Sequence, residues 1–163
     1  MKKVMAIVIM AALVLSSVAA FAQDEITVEL DKTPIVFDVQ PQIINDRVMV
    51  PMRKVFEEFG GEVDWNGEHQ LIIAVVGSKI ITMMINEYRM PVFNVETGVQ
   101  NIIELDSPPV IIDGRTLVPV RAISEALGAD VSWQNETRTV VITTLGEKAI
   151  TESPATNEKE VSK

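Results

Sequence analysis

The sequence predicts an α+β protein built from two tandem repeats, each with β-hairpins and one short α-helix. Residues 41–76 and 109–144 align without a gap at a fixed offset of 68, with 12 identities in 36 positions. Within each stretch, apolar runs and turn residues follow in the same order. The chain has no cysteine, so packing alone must hold the fold.

Each repeat opens with a strand, a tight turn and a second strand. The polar pairs Asn45-Asp46 and Asp113-Gly114 lie between apolar runs, a pattern that favours a two-residue hairpin turn. A further strand pair precedes each repeat, at 26–30 with 35–37 and at 79–85 with 90–93. We therefore expect two hairpins in each repeat, one before the helix and one after it.

A short helix is predicted to start at Pro51 and at Pro119, because proline suits the first helical position. Gly60 and Gly128 stand where a left-handed C-terminal cap belongs. Spacings of three and four define one apolar stripe per helix, and i,i+4 pairs predict ion pairs on the outside. The stripes are Met52, Val55, Phe59 and Val120, Ile123, Leu127, and the pairs are Arg53/Glu57 and Arg121/Glu125.

After each helix the pattern again predicts a hairpin. Residues 62–65 lead into a turn at Asn66-Gly67 and then a β-branched run at 71–76. In the second repeat the turn is Gln134-Asn135 and the run is 139–144. Relative to the first copy, the second contains about 13 extra residues around 95–105, measured from the turns at Asp31 and Asn86.

The chain therefore divides into four predicted segments. Residues 1–22 have the features of a secretory signal, in which Lys2 and Lys3 precede an apolar run that ends at Ala20-Phe21-Ala22. Residues 23–77 form the first repeat and 78–145 the second, with the insertion near 95–105. Residues 146–163 are polar and charged, which predicts a disordered tail. The sequence contains no second long apolar stretch, so we expect no transmembrane segment after signal cleavage.

Charge excludes one class of partner. The whole chain carries a formal charge of −9, and removing Lys2 and Lys3 with the signal leaves 12 basic and 23 acidic residues, a charge of −11. Such a surface repels phosphate backbones, so we expect no nucleic acid partner.

The sequence offers no residue set for catalysis, for a cofactor or for a metal. Copper or zinc sites need several imidazole or thiolate ligands, whereas His69 is the single histidine. There is no G-x-S-x-G motif and no EF-hand loop. Paired carboxylates for glycan hydrolysis remain an alternative with Glu57, Glu58, Glu125 and Asp130, but solvated helix faces explain them better.

Six side chains are the candidate binding residues, because they recur in both repeats. Tryptophan rings can pack on sugar faces or close the sheet over the helix, and we favour the second role. Arginines can bind carboxylates bidentately or bridge the helix to neighbouring carbonyls, and here too we favour the structural role. These candidates are Trp65, Trp133, Arg47, Arg115, Arg53 and Arg121.

The segment from Val110 to Trp133, with Asp113-Gly114-Arg115 and Val118-Pro119-Val120-Arg121 at its centre, closely resembles the copper amine oxidase-like N-terminal domain, or stalk domain. Residues 43–65 resemble the same motif, so the resemblance implies two tandem copies. It implies a twisted antiparallel β-sheet packed around one short α-helix. The name does not imply copper chemistry, which belongs to a separate catalytic domain in the oxidases.

Together these features predict a secreted or envelope-associated protein that is not an enzyme. We expect a binding or scaffold module that contacts cell-wall polymer or another exported protein. A regulator or accessory subunit of a separate exported enzyme is the alternative, and it predicts an exposed apolar patch, with the 95–105 insertion as a candidate position. Exposed edge strands would also allow a homodimer by edge pairing.

Overall fold

The computed structural model describes residues 25–146, which form thirteen strands and two short helices, in agreement with the predicted α+β class. The predicted signal (1–22) and nearly all of the predicted tail (146–163) lie outside the described residues. In chain order the elements are β1 (Thr27–Leu30), β2 (Thr33–Pro34), β3 (Gln42–Ile44), β4 (Arg47–Pro51), α1 (Met52–Glu58), β5 (Glu62–Asn66), β6 (Leu71–Val76), β7 (Lys79–Met84), β8 (Arg89–Asn94), β9 (Gln100–Glu104), β10 (Val110–Ile112), β11 (Arg115–Pro119), α2 (Val120–Leu127), β12 (Asp130–Gln134) and β13 (Thr139–Thr143).

The strands form three sheets. The end sheet has the order β12-β13-β1-β2, the central sheet β10-β11-β4-β3, and the five-stranded sheet β5-β6-β7-β8-β9. All neighbours pair antiparallel except β1 and β13, which are parallel. The predicted insertion supplies β9, which extends the five-stranded sheet beside β8.

The central sheet joins the two predicted repeats through equivalent residues. Val50 of β4 lies directly opposite Val118 of β11, and these positions are 68 residues apart, as in the sequence alignment. The flanking pairs are Pro51 with Leu117 and Met49 with Pro119. A local two-fold relation between the hairpins follows, with Val50 and Val118 at its centre. The count and boundaries of the repeats stay a prediction.

One hydrophobic core runs through both halves of the chain. The cluster of buried side chains extends from Val28 to Ile142 and includes Val50, Val118 and Phe56. At 0% exposure, Phe56 is the largest fully buried side chain in the described residues. The halves also interleave at the ends, because β1 of the first half pairs with β13 of the second. The structure therefore holds the two predicted repeats around shared apolar contacts.

Local turn chemistry follows the sequence prediction. Asn45 and Asp46 have φ angles of 52° and 59°, and Asp113 and Gly114 have 50° and 71°, so both central hairpins turn through two left-handed residues. Gly60 and Gly128 are left-handed at 72° and 94° and end the helices as predicted.

Three local predictions are wrong in detail. The residues Pro51 and Pro119 do not begin the helices, because both pair in the central sheet and leave Met52 and Val120 as the first helical residues. Residues 35–37 are not a strand: the tight turn after Leu30 places β2 at Thr33–Pro34.

The helix ion pairs also differ from the prediction. Within residues 25–146, the acid–base pair of α1 is Lys54 with Glu58 rather than Arg53 with Glu57, because Arg53 turns towards β5. No ion pair joins Arg121 to Glu125 in the same part of the chain. No helix there is long and apolar enough to cross a membrane.

Candidate functional site

Two surface grooves bring the six candidate residues together, three to each groove. Groove 1 is lined by Trp65, Arg53 and Arg115 together with Asp38, and it encloses about 480 Å³. Groove 2 is lined by the corresponding set Trp133, Arg121, Arg47 and Asp106, and it encloses about 480 Å³ as well. Each member of the first set lies 68 positions from its counterpart in the second.

Each groove combines side chains from both halves of the chain. In groove 1, Arg53 comes from α1 and Trp65 from β5, while Arg115 comes from β11 of the other half. Groove 2 takes Arg121 from α2 and Trp133 from β12, with Arg47 from β4. Because β4 pairs antiparallel with β11, Arg115 lies in the groove beside α1 and Arg47 lies in the groove beside α2.

An arginine–aspartate pair closes the rim of each groove. Arg115 Nε donates a hydrogen bond to Asp38 Oδ2 at 2.7 Å. Arg47 donates to Asp106 Oδ2 from Nε at 2.8 Å and from Nη2 at 2.7 Å. Arg115 and Asp38 are 77 positions apart, and Arg47 and Asp106 are 59 positions apart. Each pair therefore joins the two halves of the chain. Because all four side chains are well exposed and screened by solvent, each pair adds little to stability.

The hydrogen bond from Arg115 lowers the pKa of Asp38 below its ordinary value of 3.8, and desolvation opposes the shift. The charge of Arg115 and the backbone N–H of Val39, 3.0 Å from Asp38 Oδ1, lower it further. Asp38 is therefore held as a carboxylate that accepts hydrogen bonds from Arg115 and from the backbone of Val39.

This pair predicts a pH dependence. Because the folded pKa of Asp38 is depressed, its contribution to stability is present above the ordinary pKa and disappears as pH falls through the folded value. We expect Arg115→Gln to raise the pKa of Asp38 towards 3.8, as measured by carboxyl NMR titration. Arg89→Gln, which removes a similarly exposed arginine at the start of β8, should leave the pKa of Asp38 unchanged. If the pKa of Asp38 in the Arg115→Gln variant equals that in the unsubstituted protein, the pairing of Asp38 with Arg115 is contradicted.

The two tryptophans lie between the core and the grooves. Trp65 and Trp133 are half-buried and pack against the core cluster, and each also lines its groove. Val63 and Val131, two residues earlier on the same strand face, pack against the core as well. Each ring can therefore pack against the core on one side and line its groove on another.

Three of the four arginines have contacts within the protein, and one of these three joins its helix to a neighbouring carbonyl. Arg53 Nη1 donates to the carbonyl of Val63 at 3.2 Å and ties α1 to β5. Arg47 and Arg115 hold the rim aspartates. Arg121 differs, since no hydrogen bond or ion pair engages its side chain within residues 25–146.

Sequence reasoning missed three groove residues. Asp38 and Asp106 follow the same offset of 68, but they precede the aligned stretches 41–76 and 109–144. Arg138 lines groove 2, and its Nε is buried with no hydrogen-bond partner in the described residues. The corresponding residue of the first half is Gln70, so a search for shared residues passes over Arg138.

The described residues show no clustered metal ligands. No group of three or more His, Cys, Asp or Glu side chains converges between residues 25 and 146. His69 is exposed in the turn after β5, where its backbone N–H donates to Asn66 Oδ1 at 3.0 Å and its ring Nδ1 lies 3.1 Å from the same oxygen. Its contacts shape the turn.

The interleaved sheets and the two corresponding grooves define a small α+β module. The family model described as the copper amine oxidase N-terminal domain matches residues 29–142, and the chain belongs to this family. The match runs as one stretch through both predicted repeats, so the count of two copies stays a prediction. A protein of Brevibacillus choshinensis named "Protease inhibitor" is 31% identical over 94 residues, which cover 58% of this chain and 27% of that protein. The chain thus matches about a quarter of that relative.

Proposed function

We propose that the chain is an exported, non-catalytic module that binds another exported protein through the solvent side of its five-stranded sheet. The observation that carries this proposal is an apolar outer face. Alternate residues of β6, β7, β8 and β9 point away from the core, and most of them are apolar and at least partly exposed. The apolar members of this outer face are Leu71, Ile73, Val75, Ile80, Met84, Pro91, Phe93 and Ile102.

Strand register makes the outer face continuous. Val75 lies opposite Ile80, which lies opposite Phe93, so three strands contribute one apolar row. In the next row Pro91 lies opposite Ile102 of the insertion strand β9. Val75, Met84, Phe93 and Ile102 are 37–47% exposed, and none of them belongs to the core cluster. A continuous exposed apolar surface of this kind marks interaction sites.

The two halves differ on this face. Leu71 and Val75 of β6 correspond, at the offset of 68, to Thr139 and Thr143 of β13 in the end sheet, whereas Ile73 corresponds to Val141. Thr139 is buried, so β13 does not present the same exposed apolar positions as β6. The exposed apolar residues of the first half, with β9 beside them, support a partner at this face.

The comparisons favour a protein partner that is an enzyme. The relative from Brevibacillus choshinensis carries the name "Protease inhibitor", and an inhibitor acts by contact with its protease. A signal-like leader would send this chain to the same extracytoplasmic compartment as exported proteases. We therefore propose an exported protease, or another exported enzyme, as the first partner to test.

The test uses one pair of matched variants of residues 23–163. Ile102 and Ile111 lie on strands of different sheets and are 47% and 45% exposed, but only Ile102 belongs to the outer face. A photoreactive residue at Phe93 should crosslink one exported protein, and Ile102→Lys should abolish that product while Ile111→Lys retains it. The captured protein, once purified, should co-elute with the chain in size-exclusion chromatography.

Two outcomes would overturn the proposal. Equal capture by both lysine variants would show that the outer face is not the contact. A crosslinked product made only of two copies of the chain would replace the exported partner by a homodimer. Circular dichroism and thermal melting of each variant confirm that capture is compared between folded proteins.

A further inference from the structure

The positive charges of the described residues are concentrated in the two grooves. Between residues 25 and 146 the chain has nine Lys and Arg residues, and six of them line groove 1 or groove 2. The same range has eighteen Asp and Glu residues, of which four line the grooves. Each groove is therefore lined by three basic and two acidic side chains, on a chain of formal charge −9. Both grooves are cationic regions of an acidic surface, and they favour an anionic ligand.

Groove 2 presents donors that the protein itself leaves unused. Within the described residues, the guanidinium of Arg121 has no hydrogen-bond or ion-pair partner. Its planar set of N–H donors can bind an oxyanion in the groove bidentately. Arg138 also lines groove 2 and adds positive charge there, but its Nε is buried and does not face the groove's solvent. Arg47 does not add to this set, because Asp106 neutralises it.

Groove 1 has the same plan with fewer free donors. One Nη of Arg53 is engaged by the carbonyl of Val63, and Lys54 pairs with Glu58. Groove 1 is therefore the weaker of the two anion sites. The half-buried rings of Trp65 and Trp133 add an aromatic surface to the respective groove, and such a surface packs against the apolar face of a sugar ring.

We infer that grooves 1 and 2 are paired sites for an acidic sugar. Its ring would lie against Trp65 or Trp133, and its carboxylate or phosphate would be bound by Arg53 or Arg121. The common set of a tryptophan, a helix arginine and a rim arginine–aspartate pair makes the two sites bind the same chemical group. An acidic polymer with regularly spaced charges would then engage both grooves of one molecule. This inference does not depend on the outer face of the five-stranded sheet.

The chain's two tryptophans provide a separate signal for each groove. In a ¹H–¹⁵N spectrum of residues 23–163, the indole N–H of Trp65 reports groove 1 and that of Trp133 reports groove 2. We expect trigalacturonate or glucose 6-phosphate to shift both signals, with Trp133 responding at the lower concentration. Neutral cellotriose and inorganic phosphate, each at matched ionic strength, should shift them far less. The two acidic probes distinguish a carboxylate from a phosphate ligand.

Single variants locate the site. Arg121→Gln should weaken binding at groove 2 about tenfold or more, the loss expected for one charge-assisted hydrogen bond, while Trp65 responds as before. Arg53→Gln should do the converse. Arg89→Gln is the matched control, because it removes the same charge from an exposed arginine outside both grooves.

The inference is overturned if neither indole responds to the acidic sugars beyond the effect of sodium chloride, or if Arg89→Gln weakens binding as much as Arg121→Gln. An equal response to cellotriose would also overturn it, since the cationic lining would then have no role. Because these titrations contain no protein partner, a negative result leaves the proposed protein contact untouched, and loss of that contact would not affect the titrations.

Discussion

Replacing Phe56 by alanine should destabilise the protein by about 3 to 5 kcal/mol. Phe56 lies on the inner side of α1 and is fully buried in the core cluster that both halves of the chain share. Removing its ring deletes apolar contacts and leaves a cavity that the surrounding strands fill only in part. For a domain whose total stability is about 5 to 15 kcal/mol, this loss is a large fraction. Urea denaturation monitored by tryptophan fluorescence measures it.

Phe93→Ala is the matched control for that experiment. Phe93 is the same residue type, but it lies on the outer face of the five-stranded sheet and is 37% exposed. We expect its loss to cost under about 1 kcal/mol. Equal losses in the two variants would contradict the assignment of Phe56 to the core and of Phe93 to the surface.

The second half has a much smaller residue at the position that corresponds to Phe56. The residue 68 positions later is Ser124, which is fully buried in α2 with a hydroxyl that has no hydrogen-bond partner in the described residues. The two helices therefore occupy related places with side chains of very different volume. The core is asymmetric at this point, so the stability of the two halves cannot be inferred from their shared residues alone.

Features fixed by neighbouring residues were predictable from the sequence. The left-handed turns at Asn45-Asp46 and Asp113-Gly114, and the glycine that ends each helix, depend on backbone preferences within four or five residues. The apolar stripe of α1 was partly wrong, since Phe56 is buried and Phe59 only partly so. A seven-residue helix has too few turns for its spacing alone to select the inner side.

Long-range pairing was not predictable in the same way. The parallel pairing of β1 with β13 joins residues more than a hundred positions apart, and no local signal in either strand specifies the partner or its direction. The pairing of β4 with β11 likewise brings Arg115 to Trp65, and Arg47 to Trp133. The sequence therefore identified the six groove residues as a repeated set, whereas their division into two grooves depends on contacts between the halves.

The grooves also show what a comparison of repeats overlooks. Shared residues such as Arg53 and Arg121 are found by alignment, but the basic lining of groove 2 also includes Arg138, which the first half replaces with Gln70. The outer face is a difference of the same kind, because β6 has Leu71 and Val75 where β13 has Thr139 and Thr143. Residues that differ between the halves thus contribute to the charge of groove 2 and to the proposed protein contact.

Neither half of the chain should fold alone. We expect fragments 25–77 and 78–146, expressed separately, to give the poorly dispersed NMR spectra of unfolded chains, and we expect a folded spectrum when they are mixed. A cut at Gly77 and Ser78 separates β6 from β7, β4 from β11 and β1 from β13. Each fragment would expose its share of the common core, and a chain of about 60 residues, which buries only about 60% of its surface on folding, is marginal even with a complete core.

Specific contacts across the cut explain why mixing should restore the fold. Asp31 of one fragment accepts hydrogen bonds from the backbone N–H and the hydroxyl of Thr144 of the other, both at 2.8 Å. The rim pairs of both grooves also cross between the fragments. Intact 25–146 is the control for folding. If either fragment unfolds cooperatively by itself, the halves are independent domains, and the grooves between them are interfaces of two folded units rather than parts of one core.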